Sequence, residues 1–571
     1  MVAFRVLCFS IGTAVSAVFA QPTELEDCKC FPGDPCWPSE AEWASFNRTV
    51  GGRLVATVPL AAPCHDSAFG PYNESACAAL RSTWWFPETH MSSSSSPMAP
   101  YFANASCDPF AAPQSQCVRG TDPQYAVRAA GAADYRATLA FAAARRLRLV
   151  IRNTGHDYNG KSTGAGALAL WTHHLKDTAV VDAYESAHYR GPALRLGAGV
   201  QAHEAYVAAH AAGLAVVGGA CATVGLAGGY SQGAGHGPLN SYAGLGADQI
   251  LEWEVVTAAG GQLTASPVEN SDLYWALAGG GGGTYAAVVS ATVRAHRLRV
   301  VSVANLTFSA AGLSKDVYYD AVRTYISSLP AMTRAGTWHN WVLLADSFSL
   351  HPTVGPEMEA SDLDALMQPT LAFLNRSGIP YEYRVRQFSS LLEAYDGMFP
   401  RDNVTEFSLG GRLIPRSVVE NNTSLTALIN IYRYINDQGG MIAGSAMDVS
   451  GFPAGGVQNA VNPVWRHSVF NNVIGLAWDP LDFAANKVPQ ETITNDFMPK
   501  LEALTPGSGS YSNEADFRQP DWQDAFWGSN YKALKEIKNK YDPHELFYAL
   551  TAVGSDEWTV HEGGRLCRIG T

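Results

Sequence analysis

Charged residues are scarce in this 571-residue chain, at 16% against 47% hydrophobic. Within that small set the basic side is poorer: 39 Lys and Arg face 52 Asp and Glu, for a formal net charge of −13. Phosphate binding along a nucleic acid wants a basic footprint, so nucleic acid is excluded as the main partner. Beyond the first twenty residues no apolar run is long enough to span a membrane. No internal repeat is visible. Catalytic signatures are also missing. HEAYVAAH (His203 to His210) spaces its histidines by seven rather than four, which excludes the zinc-protease helix, and no metal is expected. No Gly-x-Ser-x-Gly elbow stands in a strand-turn-helix setting. The five glycines Gly279 to Gly283 lead into strand-like residues rather than a helix, against the Rossmann fingerprint.

What is there begins with a secretory signature. Residues 1–20 carry Arg5, an apolar stretch and the cleavage-type ending Val18-Phe19-Ala20, and so read as a signal peptide. Asn-x-Ser/Thr acceptors at Asn47, Asn73, Asn104, Asn305, Asn375, Asn403, Asn421 and Asn422 predict N-glycans on a secreted, extracellular protein. Ten cysteines become nine once Cys8 leaves with the signal. An oxidising compartment favours pairing, and nine cannot all pair. Cys28, Cys30, Cys36, Cys64, Cys77, Cys107 and Cys117 lie early and Cys567 lies near the end. These eight predict four bridges, one tying the C-terminus to the N-terminal region, with connectivity open. The odd one is most economically Cys221, whose competing reading is a buried small apolar residue.

The length suggests two or three structural units. Residues 21–123, rich in Cys, Pro and Ser, read as a disulfide-stapled, loop-rich segment. Residues 124–300 are mixed: a helix over Asp134 to Ala144, strands over Leu147 to Gly155 and Ala291 to Leu298, and a strand and hairpin over Ile250 to Gly261. Residues 301–510 show helical spacing at Val317 to Leu329, Asp362 to Leu374 and Thr426 to Asp437, with Pro369 expected to bend or end the second. Strand-like HNWVLLA lies between them. A last helix puts Leu534, Ile537 and Tyr541 on one face and stops at Asp542-Pro543. Arg412 and Arg466 read as structural ion-pair or capping residues.

Two segments carry candidate chemistry. RNTGHDYNGKSTGAGAL (Arg152 to Leu168) is a strand ending in a glycine turn with His156, suited to a pyrophosphate, or else an ordinary turn with a solvated His. Gly218 to Asp248 spends many glycines in one run, a backbone-entropy cost that makes sense beside a flat ligand.

Taken together these residues resemble the secreted fungal berberine-bridge-enzyme-like oxidoreductases of the vanillyl-alcohol-oxidase superfamily, with their PCMH-type FAD-binding domain. The likeness rests on Arg-x-x-Gly-His-Asp-Tyr at 152–158, Cys-Ala-Thr-Val-Gly at 221–225, and NEADFRQPDWQDAFWGSNY at 513–531. It implies an α+β fold: an FAD domain from 124–300 completed by 511–571, and a substrate domain over 301–510 with an antiparallel sheet covered by helices. It implies FAD linked covalently through His156, with Cys221 making a second bond at flavin C6. Val224 matches the small residue that leaves room for oxygen. Arg152, Asn153, Thr154, Gly155, Asp157, Gly225, Gly228, Ser231, Gly233, Asn513 and Tyr531 match further cofactor-binding positions. Tyr511 matches a base at the flavin edge, Tyr158 an active-site tyrosine, and Asp448 lies near a carboxylate that serves some relatives. Three positions depart from the pattern: Ala222 replaces a proline, Gly229-Tyr230 a histidine, and Glu514 a tyrosine.

The activity so implied is oxidation of a small-molecule alcohol or related C–H donor by hydride transfer to flavin, with O2 as acceptor and hydrogen peroxide as product, in a monomer. A dehydrogenase with another acceptor, an oxidative cyclase and a silent flavin-binding protein are the alternatives.

Overall fold

A computed structural model describes residues 27–401, 403–453 and 457–569. The expected signal segment 1–20 lies outside them. Among the described residues no helix is long and apolar enough to cross a membrane.

The expected α+β class is found, in three main sheets. The first joins β1 (Leu54–Ala56), β2 (Tyr125–Arg128), β3 (Leu149–Arg152) and β4 (Leu168–Trp171) in the order β1-β2-β4-β3. β4 pairs in parallel with both β2 and β3, and helix Ala132–Ala144 makes the crossover between those two. β1 comes from the loop-rich, disulfide-stapled segment, which thus contributes one strand to this sheet. The second sheet is antiparallel: β5 (Thr178–Glu185), β6 (Arg190–Gly197), β10 (Ala287–His296), β8 (Ile250–Val256) and β9 (Gln262–Ala265), with β7 (Ala215–Val216) pairing off β10.

The third sheet runs β14 (Tyr381–Phe388), β11 (Val301–Ser309), β13 (Ser347–Pro356), β12 (Trp338–Leu343), β16 (Met441–Ala446), β17 (Ser468–Ala477) and β15 (Phe407–Pro415), antiparallel throughout. Helices Lys315–Arg334, Ala360–Arg376 and Asn422–Asp437 bury Tyr325, Leu371 and Leu428 in one core with Trp341 and Phe348 of the sheet. Helix Ala360–Arg376 runs through Pro369 instead of stopping there. Pro369 and Ala365 are both exposed, so water can take the carbonyl that the proline cannot donate to. A smaller junction core, with Ala234, Leu245, Trp338, Leu413, Trp465 and Tyr511, joins this sheet to the glycine-rich segment.

Eight cysteines form four bridges: Cys28–Cys567, Cys30–Cys36, Cys64–Cys77 and Cys107–Cys117. The first ties the C-terminus to the N-terminal region, as expected. Cys221 stands outside all four.

Helix Tyr531–Tyr541 fixes the C-terminal segment through one buried cation. Lys538 Nζ donates to Asp542 (2.5 Å) and to the carbonyls of Phe547 (2.7 Å) and Thr284 (3.0 Å), the last just after the glycine run. Asp542 in turn accepts from the Leu546 and Phe547 amides. Removing one partner strands the other in a dry site. Lys538→Met is therefore expected to lose about 3–5 kcal/mol of stability, read from denaturant unfolding.

Candidate functional site

The turn after β3, the glycine-rich segment and the Tyr511–Glu514 segment meet around a cavity of about 320 Å³. Two glycines make the approach possible. Gly155 turns the chain at φ 85° directly above the Arg152 guanidinium, where a Cβ would lie 2.6 Å from it. At Gly225 a Cβ would overlap Asn153 Oδ1. Of the residues named from sequence, Asn153, Thr154, Gly155, His156, Asp157, Tyr158, Cys221, Val224, Gly225, Gly228, Tyr511 and Asn513 line this cavity.

His156 and Cys221 share one wall. Cys221 Sγ lies 3.8 Å from His156 Nε2, and Thr223 Oγ1 sits between them, 2.6 Å from Nε2 and 3.4 Å from the sulfur. Burial, with the His90 ring and the Arg152 guanidinium nearby, pulls the His156 imidazole down to about 3, so it is neutral near pH 7. Asp157 shapes the loop: its carboxylate accepts from the amides of Asn159, Lys161 and Ser162. Lys161, not singled out from sequence, also lines the cavity. Burial lowers its ammonium to about 8, against the pull of Asp157. The sequence signal for it is the Gly-Lys-Ser that follows His156.

The cavity carries polar atoms that the described residues do not satisfy. Asn153 Oδ1, Asn159 Oδ1, Tyr230 Oη and Gln232 Oε1 are buried without a hydrogen bond among the described residues, and all four residues line it. Buried polar atoms of this kind call for a partner. A flat ring with N–H and carbonyl edges, carrying hydroxyls and a phosphate chain, would supply donors and acceptors of the right kind, and Lys161 would offer the phosphates a cation. The residues present therefore fit a flavin dinucleotide.

Five expectations change. Asp448 does not line the cavity. Its carboxylate pairs with Arg416 at 3.0 Å and accepts from the Ser450 amide, as a loop-capping Asp does. Arg152 does not line the cavity and donates to the His90, Ser93 and Ser96 carbonyls, holding the serine run against the sheet. Tyr531 donates to Asp556 and packs on Trp522 and Trp527. Ser231 is buried behind the lining. Gly233 also lies behind it, where a Cβ would come 2.5 Å from Asn513 Nδ2, so its smallness admits Asn513.

Tyr511 lines the cavity, but its phenol is pushed well up by burial and by Glu514. It accepts a hydrogen bond from Asn513 Nδ2 at 2.8 Å. No cation among the described residues lowers it, so it is a poor base. The carboxylate beside it is better placed. Glu514 Oε1 accepts from His236 Nε2 at 2.9 Å and Oε2 from Asn471 Nδ2 at 2.6 Å. With that tautomer His236 Nδ1 accepts from Ser445 Oγ at 3.0 Å. Glu514 and His236 both line the cavity, while Asn471 and Ser445 come from β17 and β16. The pair thus bridges the glycine-rich segment and the third sheet. Arg412 and Arg466 are structural, as expected: Arg412 binds Thr505, and Arg466 pairs with Asp248 through both terminal nitrogens.

Residues 123–266 match the family described as FAD binding domain, and residues 510–554 the family described as berberine and berberine like. The FAD-linked oxidoreductase sor8 of Hypocrea jecorina is 47% identical over 97% of this chain and 96% of its own. The bifunctional decalin synthase calF of Penicillium decumbens is 40% identical over 99% of this chain and 100% of its own. A crystal structure of the VAO-type flavoprotein MtVAO615 from Myceliophthora thermophila C1 matches with TM-score 0.91 at 39% identity, over 95% of this chain and all of that one.

Proposed function

The chain belongs to the berberine-bridge-like, VAO-type family of FAD-linked oxidoreductases, and from that premise we propose that it is an oxidase holding its flavin through both His156 and Cys221. The bound flavin supplies the ring that accepts a hydride from the substrate. The residues do the rest. Glu514, oriented by His236 and Asn471, takes the proton of a substrate hydroxyl. Val224 keeps the cavity wall small where dioxygen would approach as final acceptor, leaving as hydrogen peroxide. The proposed units are an FAD domain of 124–300 and 511–571, now with β1 added, and a substrate domain of 301–510. Four disulfides and the exposed acceptors Asn73, Asn104, Asn375, Asn421 and Asn422 support a secreted glycoprotein.

The observation that carries the covalent reading is the 3.8 Å between Cys221 Sγ and His156 Nε2 on the cavity wall. Acid precipitation tests it. The wild-type precipitate is expected to stay yellow. His156→Ala and Cys221→Ala are each expected to keep one link and so retain flavin, whereas the double variant releases all of it. A single variant that releases all its flavin would reduce the assignment to one link.

The relative named as a decalin synthase favours a second reading, an oxidative cyclisation in the same cavity. A donor screen that yields hydrogen peroxide without ring closure decides for the simple oxidase.

A further inference from the structure

Thr223 lies in the motif Cys-Ala-Thr-Val-Gly, two residues after Cys221, and its side chain is buried. Its backbone is held from both sides. The Ala202 amide donates to Val224 O and the His203 amide to Ala222 O, at the start of helix Ala202–His210. The hydroxyl is thereby fixed 2.6 Å from His156 Nε2.

A neutral imidazole carries one N–H and one lone pair. Only the nitrogen with the lone pair can attack an electrophile. The hydrogen bond made by one ring nitrogen decides which tautomer is present. Thr223 Oγ1 can accept from Nε2–H, and in that tautomer the lone pair is on Nδ1; His156 lines the cavity.

We propose that Thr223 is a positioning residue for covalent attachment of the flavin, holding His156 in the tautomer whose Nδ1 is the nucleophile. This rests on the reading that His156 carries a flavin link. In the step, Nδ1 bonds the 8α-carbon of the flavin. One hydrogen leaves that carbon and the Nε2 hydrogen leaves the imidazole. The two electrons enter the flavin ring, and dioxygen takes up two electrons and two protons to leave as hydrogen peroxide. Nε2 ends with a lone pair. A hydroxyl suits both ends of this step, because it accepts from Nε2–H before the bond forms and donates to Nε2 afterwards. The burial that keeps His156 neutral works in the same direction, since a protonated ring has no lone pair to offer.

The test uses Cys221→Ala as the parent, so that His156 is the sole link. The full-length protein is compared with and without Thr223→Val and Thr223→Ser. Total bound flavin is read by absorbance, and the acid-stable fraction by precipitation. Thr223→Val keeps the side-chain shape. It is expected to bind flavin but to lower the acid-stable fraction about 10–100-fold at a fixed time, the range seen when the partner orienting a ligand histidine is removed. Thr223→Ser is expected to restore it. Equal acid-stable fractions in Thr223→Val and the parent overturn the proposal. A parent with no acid-stable flavin overturns the His156 reading itself, and this inference with it. If Thr223→Val does not fold, Thr223→Ser decides: retained attachment supports the role, and lost attachment with normal flavin binding overturns it.

Discussion

Glu514→Gln is expected to slow reduction of the flavin by a hydroxyl donor about 10²–10⁴-fold, the usual worth of a positioned general base. The change is nearly isosteric, so flavin content should not move. The reasoning is one of capacity. Glu514 has two oxygens with about four lone-pair sites. His236 and Asn471 occupy two of them, and the carboxylate still lines the cavity. Tyr511 has the opposite standing: burial and the same carboxylate hold its proton on. Tyr511→Phe should therefore lose less than about tenfold, through packing and the Asn513 hydrogen bond alone. Anaerobic stopped-flow reduction, with a donor identified by peroxide release, separates the two. A larger loss in Tyr511→Phe than in Glu514→Gln would return the base to the tyrosine.

Much of this site is legible in the sequence, and the parts that are not share a cause. Cysteine parity points to Cys221 because pairing is arithmetic and needs no geometry. The glycine run announces close backbone approach for a similar reason. His236 is hidden inside that run, since its partners Ser445 and Glu514 lie more than two hundred residues away in sequence. Glu514 registers only as a departure from the family pattern, because its worth comes from His236 and Asn471. Asp448 fails in reverse: a carboxylate near the right strand looks catalytic until Arg416 is seen to hold it.

The third sheet is legible in part. Its helices announce themselves by spacing, but β15 carries Gly410-Gly411, which reads as a turn. Contact explains those glycines. A Cβ on Gly411 would overlap the Glu514 carbonyl oxygen, and one on Gly410 would meet Ile493 at 2.6 Å. At Gly411 the strand gives up a side chain so that the segment carrying Tyr511 and Glu514 can lie against it, and at Gly410 so that Ile493 can. A local code for turns cannot distinguish that use of glycine from a bend.

The same dry interior that keeps histidines neutral should make the protein acid-labile. Burial lowers His339 to about 3, and His90 and His296 to about 4, with Arg152 and Arg294 adding to the effect on the last two. Each ring sits in fixed hydrogen bonds: His339 between Tyr325 and Thr337, His90 between Ser96 and the Trp84 carbonyl, His296 on Gln249. Unfolded, each would titrate near 6.5. Between that value and the folded one the unfolded chain binds more protons, so stability falls as pH falls. Asp122, raised to about 6 by burial, works the other way over part of the range. A tenfold loss of proton affinity on folding is worth about 1.4 kcal/mol, so three groups that each lose at least that much remove about 4 kcal/mol or more of the roughly 5–15 kcal/mol that holds a typical domain. The melting temperature should drop steeply from about pH 6.5 to 4. His339→Gln, which cannot take up the proton, should flatten that slope by about one proton's share wherever the fold is retained. A melting temperature unchanged between pH 7 and 4 would mean that these rings take up protons in the folded state, and that the interior around them is wetter than its packing indicates.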